Sequence, residues 1–425
     1  MASSFFEITE HTFRGQHVRE YHQGLVHPNK PPLLKAKQYT PRSNPNPQSG
    51  DVTIIAAIGI GLVKELAEPL FEDLTKKCHE QGTKIRSIWI VDMYNLAGNA
   101  SLNQNEIGND PSWFDHSRDL LCMINKFAHL MPVPLFGLGH SMGGAQIVYL
   151  SHLHPRLFQT LILVEPALWD TALWGIEAAA SVNHSRAMAF RRETFSSLPV
   201  LHSSLSRSHY YRTWDKRALA NLVKYGFSLQ PDGTMKSTTS VHSDLAMMGR
   251  PNLAGTGRTA RSFADISLEE RKKVPDIMLR NGWYAPWYRP EPNRLFHMLP
   301  NLRPSVLYVV GEKGQNPELR VNGEILRNTG TGWGGSGGVE MGRVKRVVVK
   351  DGGHVMIVDK SLGEVVDAAA EWIKAEMEIW RRQEAEHKAS DWAKRPDSEK
   401  FKVDDQLWRT YRGKTSPEDI LKGKL

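Results

Sequence analysis

Ser141 stands in the run GLGHSMGGAQI, where Gly139, Ser141 and Gly143 spell G-x-S-x-G. The run lies between an apolar strand-like stretch, PLFGLGH, and a helix-like one, MGGAQIVYLSHLH. A serine on a sharp strand-to-helix turn needs small neighbours because its backbone is strained. The helix behind it turns amides and a positive dipole end toward any negative charge developing on a substrate oxygen. The chemistry this suits is nucleophilic attack on an acyl carbonyl. A chance match in a glycine-rich loop would lack the flanking strand and helix.

A serine hydroxyl is a poor nucleophile at neutral pH and needs a histidine base oriented by a carboxylate. Of the 17 histidines, His354 in KDGGHVMIVD follows the last strand-like run, VKRVVVK, where glycines let the chain fold back over the strand ends. That is where the base belongs when the chain order is nucleophile, acid, histidine. The plainer alternative is a loop histidine. His140, beside the serine, is read as packing the turn. The oxyanion donors should be the Met142 amide and an amide from the loop AIGIGLVKE that follows the apolar run VTIIAAI.

Positioning these groups takes a frame, and the chain alternates strand and helix patterns around them. VTIIAAI is followed by KELAEPLFEDLTKKCH, IRSIWIVD by PSWFDHSRDLLCMINKFAHL, and PLFGLGH by the helix behind Ser141; TLILVEP comes next. Continuous apolar strands separated by amphipathic helices predict an α/β fold, a doubly wound, mostly parallel sheet with helices on both faces. The rhythm breaks from Ala167 to about Arg303, resumes at SVLYVV and VKRVVVK, and ends in a helix from about Ser361 to His387. The expected division is a core of residues 1–166 and 304–387, an inserted, mainly helical cap over 167–303, and a charged arm over 388–425. Two extended segments, FFEITEHTF and LLKAKQY, precede the first buried strand.

Composition narrows the class. Hydrophobic residues make up 40% and charged residues 24% of 425, as in ordinary globular proteins. No apolar run reaches the roughly 18 residues of a membrane span, and the N-terminal MASSFFEITEHTF has no secretory pattern. Cys78 and Cys122 are the only cysteines, which excludes a disulfide framework and leaves no zinc-like cluster. No metal and no cofactor is expected. A net charge of +8 without a recognised nucleic-acid motif reads as a basic surface that would also attract a polyanionic small substrate such as a coenzyme A ester. The G-x-G-x-x-G at 332–337, GWGGSG, opens no helix and reads as a mobile loop rather than a dinucleotide site. Trp169, Trp174, Trp283 and Trp287, with Tyr284 and Tyr288, are candidates for an acyl or aromatic pocket, or for cap core. The tripeptide GKL at 423–425 is close to the S-K-L peroxisomal address and implies the import receptor as a partner and the peroxisome matrix as the compartment.

With GHSMGG and GGH in this frame, the chain resembles an α/β-hydrolase with a cap domain. In that family the acid usually follows the strand written here SVLYVVG, in a context like G-x-x-D. Here that position holds Gly314, with Glu312 and Glu318 nearby but out of register. The family's alternative puts the acid at the end of the preceding core strand, which ends here in Glu165 of LVEP. A charge there, at the mouth of a buried sheet, wants a partner such as imidazole. The alternative for Glu165 is a helix cap of the insertion. By the same resemblance Gly59 matches the glycine of the H-G-x oxyanion segment and Ile60 the donor, with Ile58 where the usual histidine stands; Gly61 remains open as a second choice. Over most of its length, from FEITEHTFRGQHVREY through HPRLFQTLILVEPAL, the chain is similar to fungal peroxisomal acyl-CoA hydrolases of secondary-metabolite pathways, of the mycophenolic acid and AK-toxin type. The resemblance implies a thioesterase using Ser141, Glu165 and His354, with an acyl-CoA or ester as small-molecule partner, and leaves open a homodimer. A carboxylesterase or lipase with the same triad, or a ligand-binding homologue without catalysis, are the competing expectations.

Overall fold

A computed structural model describes residues 5–169, 180–250, 289–315 and 323–413, with 269 and 272 besides. Strands β1 (Phe6–Arg14) and β2 (Leu33–Pro41) form an antiparallel hairpin along one edge of an eight-stranded sheet. The other six are β3 (Val52–Ala57), β4 (Ile85–Val91), β5 (Leu135–His140), β6 (Thr160–Val164), β10 (Ser305–Gly311) and β11 (Val344–Val349). The order is β1-β2-β4-β3-β5-β6-β10-β11, and every pairing from β4 onward is parallel. This is the doubly wound sheet that the alternation predicts. Every residue of β3, β5, β6 and β10 is buried, which is why those segments read as continuous apolar runs instead of alternating ones.

Helices α1 (Glu68–Glu80), α2 (Ala97–Leu102), α3 (Trp113–Lys126) and α4 (Met142–Leu153) connect the first strands. Pro69, a flaw in a single helix from residue 64, causes no break: a 3-10 turn covers Lys64–Ala67 and Pro69 falls in the first turn of α1, where its missing N–H costs nothing. Ser112 caps α3, its side chain accepting from the Phe114 amide. Among the described residues between β6 and β10 lie α5 (Ala180–Ala189), α6 (Leu198–Arg207), α7 (Lys216–Tyr225), α8 (Val241–Met248) and α9 (Pro290–Met298). A three-stranded sheet of β7 (Thr194–Phe195), β8 (Phe227–Leu229) and β9 (Met235–Ser237) lies among them, in the order β7-β9-β8. Two or three residues per strand are too few to show a period-2 pattern. The breaker QPDGT proves to be the turn between β8 and β9, closed by the Gln230 amide donating to the Thr234 carbonyl and using Gly233 at φ +85°.

Helix α10 (Glu324–Asn328) and the glycine-rich stretch lead into β11, and α11 (Leu362–Ala389) follows it. The stretch around GWGGSG opens no helix, as expected, but it is tied down: Gly332 donates to Pro300, Ser336 to Leu302 and Gly337 to Gly330 through their backbones. Trp372 of α11 donates its indole N–H to Thr160 at 2.7 Å, fixing the helix to the start of β6. Two compact units result, Met1–Glu376 and Met377–Leu425. In the second, a helix at Asp405–Arg412 exposes Trp408 and Tyr411. The residues of GKL lie outside the described ones, as do Trp174, Trp283, Trp287, Tyr284, Tyr288 and Glu318. No helix among the described residues is long and apolar enough to cross a membrane.

Candidate active site

Three strand ends meet at one edge of the parallel sheet. Ser141 occupies the single residue between β5 and α4, at φ +54° and ψ −124°, a conformation that L-residues adopt only under constraint. Its glycine neighbours allow the turn. A Cβ on Gly139 would lie 2.5 Å from the Cα of Gly144, and one on Gly143 would lie 2.2 Å from the Ala57 backbone of β3. The serine thus stands at the N-terminus of α4 because no larger residue fits beside it.

His354 follows β11 and turns back over the sheet. Its Nε2 lies 2.9 Å from Ser141 Oγ, and its Nδ1 lies 3.3 Å from Glu165 Oε2. The second distance is longer than the 2.7–2.9 Å usual for a charge-assisted bond, as is common before substrate binds. Glu165 is completely buried whereas His354 keeps 21% of its side chain exposed.

Glu165, just past the end of β6, also sits at positive φ, +46°. Its carboxylate accepts two backbone amides, Gly311 on Oε1 and Gln315 on Oε2, each at 2.8 Å. These amides compensate a charge that burial would otherwise make costly. Both come from the end of β10 and its loop, where the family usually places its aspartate. A Cβ on Gly314 would fall 2.0 Å from Glu165 Oε1. The carboxylate of Glu165 therefore fills the space that a side chain at 314 would need. Glu312, by contrast, is exposed, and its Oε2 accepts the Asp351 amide at 3.0 Å.

The loop after β3 closes over the serine. A Cβ on Gly59 would come 2.8 Å from Ser141 Cβ, so only glycine lets this loop approach the nucleophile. Ile60 and Gly61 form the following turn, Gly61 at φ +78°. Nearby, burial raises the pKa of the Asp244 carboxyl of α8, and Arg191 at 2.7 Å opposes the rise. Met142 is the first residue of α4. Lys64 anchors the far end of the loop: its amide and Nζ contact Asp92, past the end of β4, at 2.9 and 2.7 Å. Burial pulls the Lys64 ammonium toward neutrality, and Asp92 and Glu65 more than offset that pull. Neither Lys64 nor Asp92 stands out in a sequence, because a strand-end aspartate and a loop lysine are ordinary surface residues until a fold buries them.

His140 is buried next to the serine, and its Nε2 lies 2.8 Å from the carbonyl oxygen of His354. Of the aromatic residues expected to line a pocket, Trp169 is described: it is half-buried and packs edge-on against Trp113, ring centroids 6.4 Å apart. No group of His, Cys, Asp or Glu suited to a metal ion occurs among the described residues.

Comparison with known proteins adds an independent line. The family model described as serine aminopeptidase, S33, matches residues 94–228. A type I acyl-CoA thioesterase, mpaH, of Penicillium roqueforti is 33% identical over 407 residues, 91% of this chain and 92% of the relative. The mpaH' enzyme of Penicillium brevicompactum, of the same description, is 34% identical over 411 residues with the same coverage. Abhydrolase domain-containing protein ACTT2 of Alternaria alternata is 25% identical over 257 residues, 59% of this chain and 87% of the relative. Among solved structures, the peroxisomal α/β-hydrolase Lpx1 of Saccharomyces cerevisiae superimposes with a TM-score of 0.63 at 14% identity, covering 92% of this chain and 99% of that one. At that identity the likeness speaks for the fold alone.

Proposed function

This chain belongs to the α/β-hydrolase family, and from that premise we propose that it is a serine hydrolase that cleaves an acyl-CoA thioester to the free acid and coenzyme A. The observation that carries the proposal is the hydrogen-bonded series Ser141 Oγ, His354 Nε2, His354 Nδ1 and Glu165 Oε2. The choice of thioester rests on relatives described as acyl-CoA thioesterases that align over nearly the whole chain.

In the proposed reaction Ser141 Oγ attacks the thioester carbonyl as its proton passes to His354 Nε2. Glu165 holds the proton on Nδ1 and stabilises the imidazolium that forms. The amides of Met142 and Ile60 receive the oxyanion. Collapse of the tetrahedral intermediate breaks the C–S bond, and His354 returns its proton to the departing thiolate. Water, deprotonated by His354, then attacks the acyl-enzyme and releases the acid, restoring the Ser141 hydroxyl. No cofactor is needed for any step.

The test is release of free coenzyme A from a panel of acyl-CoAs, with matched alkyl esters alongside. Wild type is expected to favour the thioesters. Hydrolysis of the oxyesters alone would make it a carboxylesterase or lipase, and failure to react with a serine-directed fluorophosphonate would make it a ligand-binding homologue.

The proposal extends to the peroxisome matrix as compartment and to the import receptor as partner, supported by Gly423, Lys424 and Leu425 matching the address pattern at two of its three positions. A fluorescent protein fused at the N-terminus is expected to collect in peroxisomes, and to stay in the cytosol when Leu425 is removed. An unchanged distribution on removal would defeat this part of the proposal.

A further inference from the structure

The histidine beside Ser141 reaches the loop that carries His354. His140 Nε2 lies 2.8 Å from the carbonyl oxygen of His354. A carbonyl only accepts, so the imidazole must carry its proton on Nε2 and donate it. Its Nδ1 has no hydrogen-bond partner among the described residues, and a Cβ on Gly59, in the loop over the serine, would lie 3.2 Å from it. The two histidine rings are 5.2 Å apart. Burial, helped by the neighbouring His354, pushes His140 down to about 3, so it stays neutral and adds no second positive charge when His354 takes a proton.

We propose that His140 is a positioning residue: its Nε2–H fixes the backbone carbonyl of His354 and so sets the imidazole of His354 between Ser141 and Glu165. The loop carrying His354 starts in Asp351, at φ +55°, followed by Gly352 and Gly353. Asp351 and Gly352 are tied to Glu312, Lys313 and Val349, and the His140 bond adds an anchor at His354 itself, beyond the flexible glycine pair. A side chain adjacent to the nucleophile therefore holds the base from behind, 214 positions away in sequence. Small displacements of a base carry large rate penalties, since about 1 Å of misplacement can cost 100-fold.

The inference rests on the serine-hydrolase reading, and its test uses fluorophosphonate labelling, which needs no acyl-CoA. His140→Leu keeps the bulk and removes the donor; His140→Gln returns an N–H at similar reach. The rate constant of labelling at saturating reagent is expected to fall about 10- to 100-fold in His140→Leu, with the half-saturating concentration unchanged, and to recover most of that loss in His140→Gln. Equal losses in both variants, tracking a lowered melting temperature, would show a role in packing alone and overturn the inference, as would wild-type labelling by His140→Leu. An unlabelled wild type would overturn the hydrolase reading and this inference with it.

Discussion

Glu165→Ala is expected to lower kcat/KM about 10,000-fold, the order of loss seen when the acid of a serine triad is removed. Glu312→Ala is expected to stay near wild type, because the Glu312 carboxylate faces the Asp351 amide. The informative variant is the double one. Gly314→Asp alone forces a Cβ to within 2.0 Å of Glu165 Oε1 and should damage both folding and activity. Combined with Glu165→Ala the collision is gone, and the new carboxylate enters a space already lined by the amides of Gly311 and Gln315. Recovery of at least part of the lost rate in Glu165→Ala/Gly314→Asp would show one seat for the acid, reachable from either strand. A double variant no better than Glu165→Ala would mean that the seat is specific to a glutamate arriving from β6.

The second large effect is at Ser141. Replacement by alanine should lower kcat/KM by about a million-fold, leaving only what binding and the oxyanion amides supply. Stability should not follow activity. Ser141 is held at φ +54° and ψ −124°, strain of roughly 1–3 kcal/mol that alanine keeps and glycine releases. Ser141→Gly should therefore be as inactive as Ser141→Ala but more stable by about 1 kcal/mol, after allowing for the greater freedom of glycine in the unfolded chain. Denaturant titration of the two variants measures this directly. A less stable glycine variant would mean that the turn is set by contacts of the serine side chain and not by backbone strain.

Much of this architecture is legible in the sequence because a parallel sheet covered on both faces writes itself as apolar runs. VTIIAAI, PLFGLGH, TLILVEP and SVLYVVG announce β3, β5, β6 and β10 with no competing reading. The serine and histidine of the candidate site are visible for a local reason: each needs glycines to turn the chain at a strand end. The acid is harder. Its identification rests on a position found empty in the β10 loop, and no sequence pattern reveals that Gly314 is small because a carboxylate from elsewhere stands there. The small sheet of β7, β8 and β9 falls below the length at which alternation shows. The bond from His140 ends on a main-chain carbonyl, which carries no residue type to recognise. Ion pairs such as Lys64 with Asp92 become unusual only through burial, a property of the fold.

The connection between β6 and the nucleophile has a mechanical consequence. The Ser141 carbonyl accepts the Ala167 amide at 2.9 Å, the Ser141 amide donates to Val164 at 3.1 Å, and a Cβ on Gly144 would strike Pro166. Residues 164–167, with Glu165 among them, are thus laced to the turn that carries Ser141. The histidine alone arrives on a separate lever, a loop beginning with two glycines and an aspartate in a left-handed turn. In the proposed relay, displacement of that loop would change the distances from His354 to Ser141 and to Glu165 together, with the bond from His140 as a tie that opposes it.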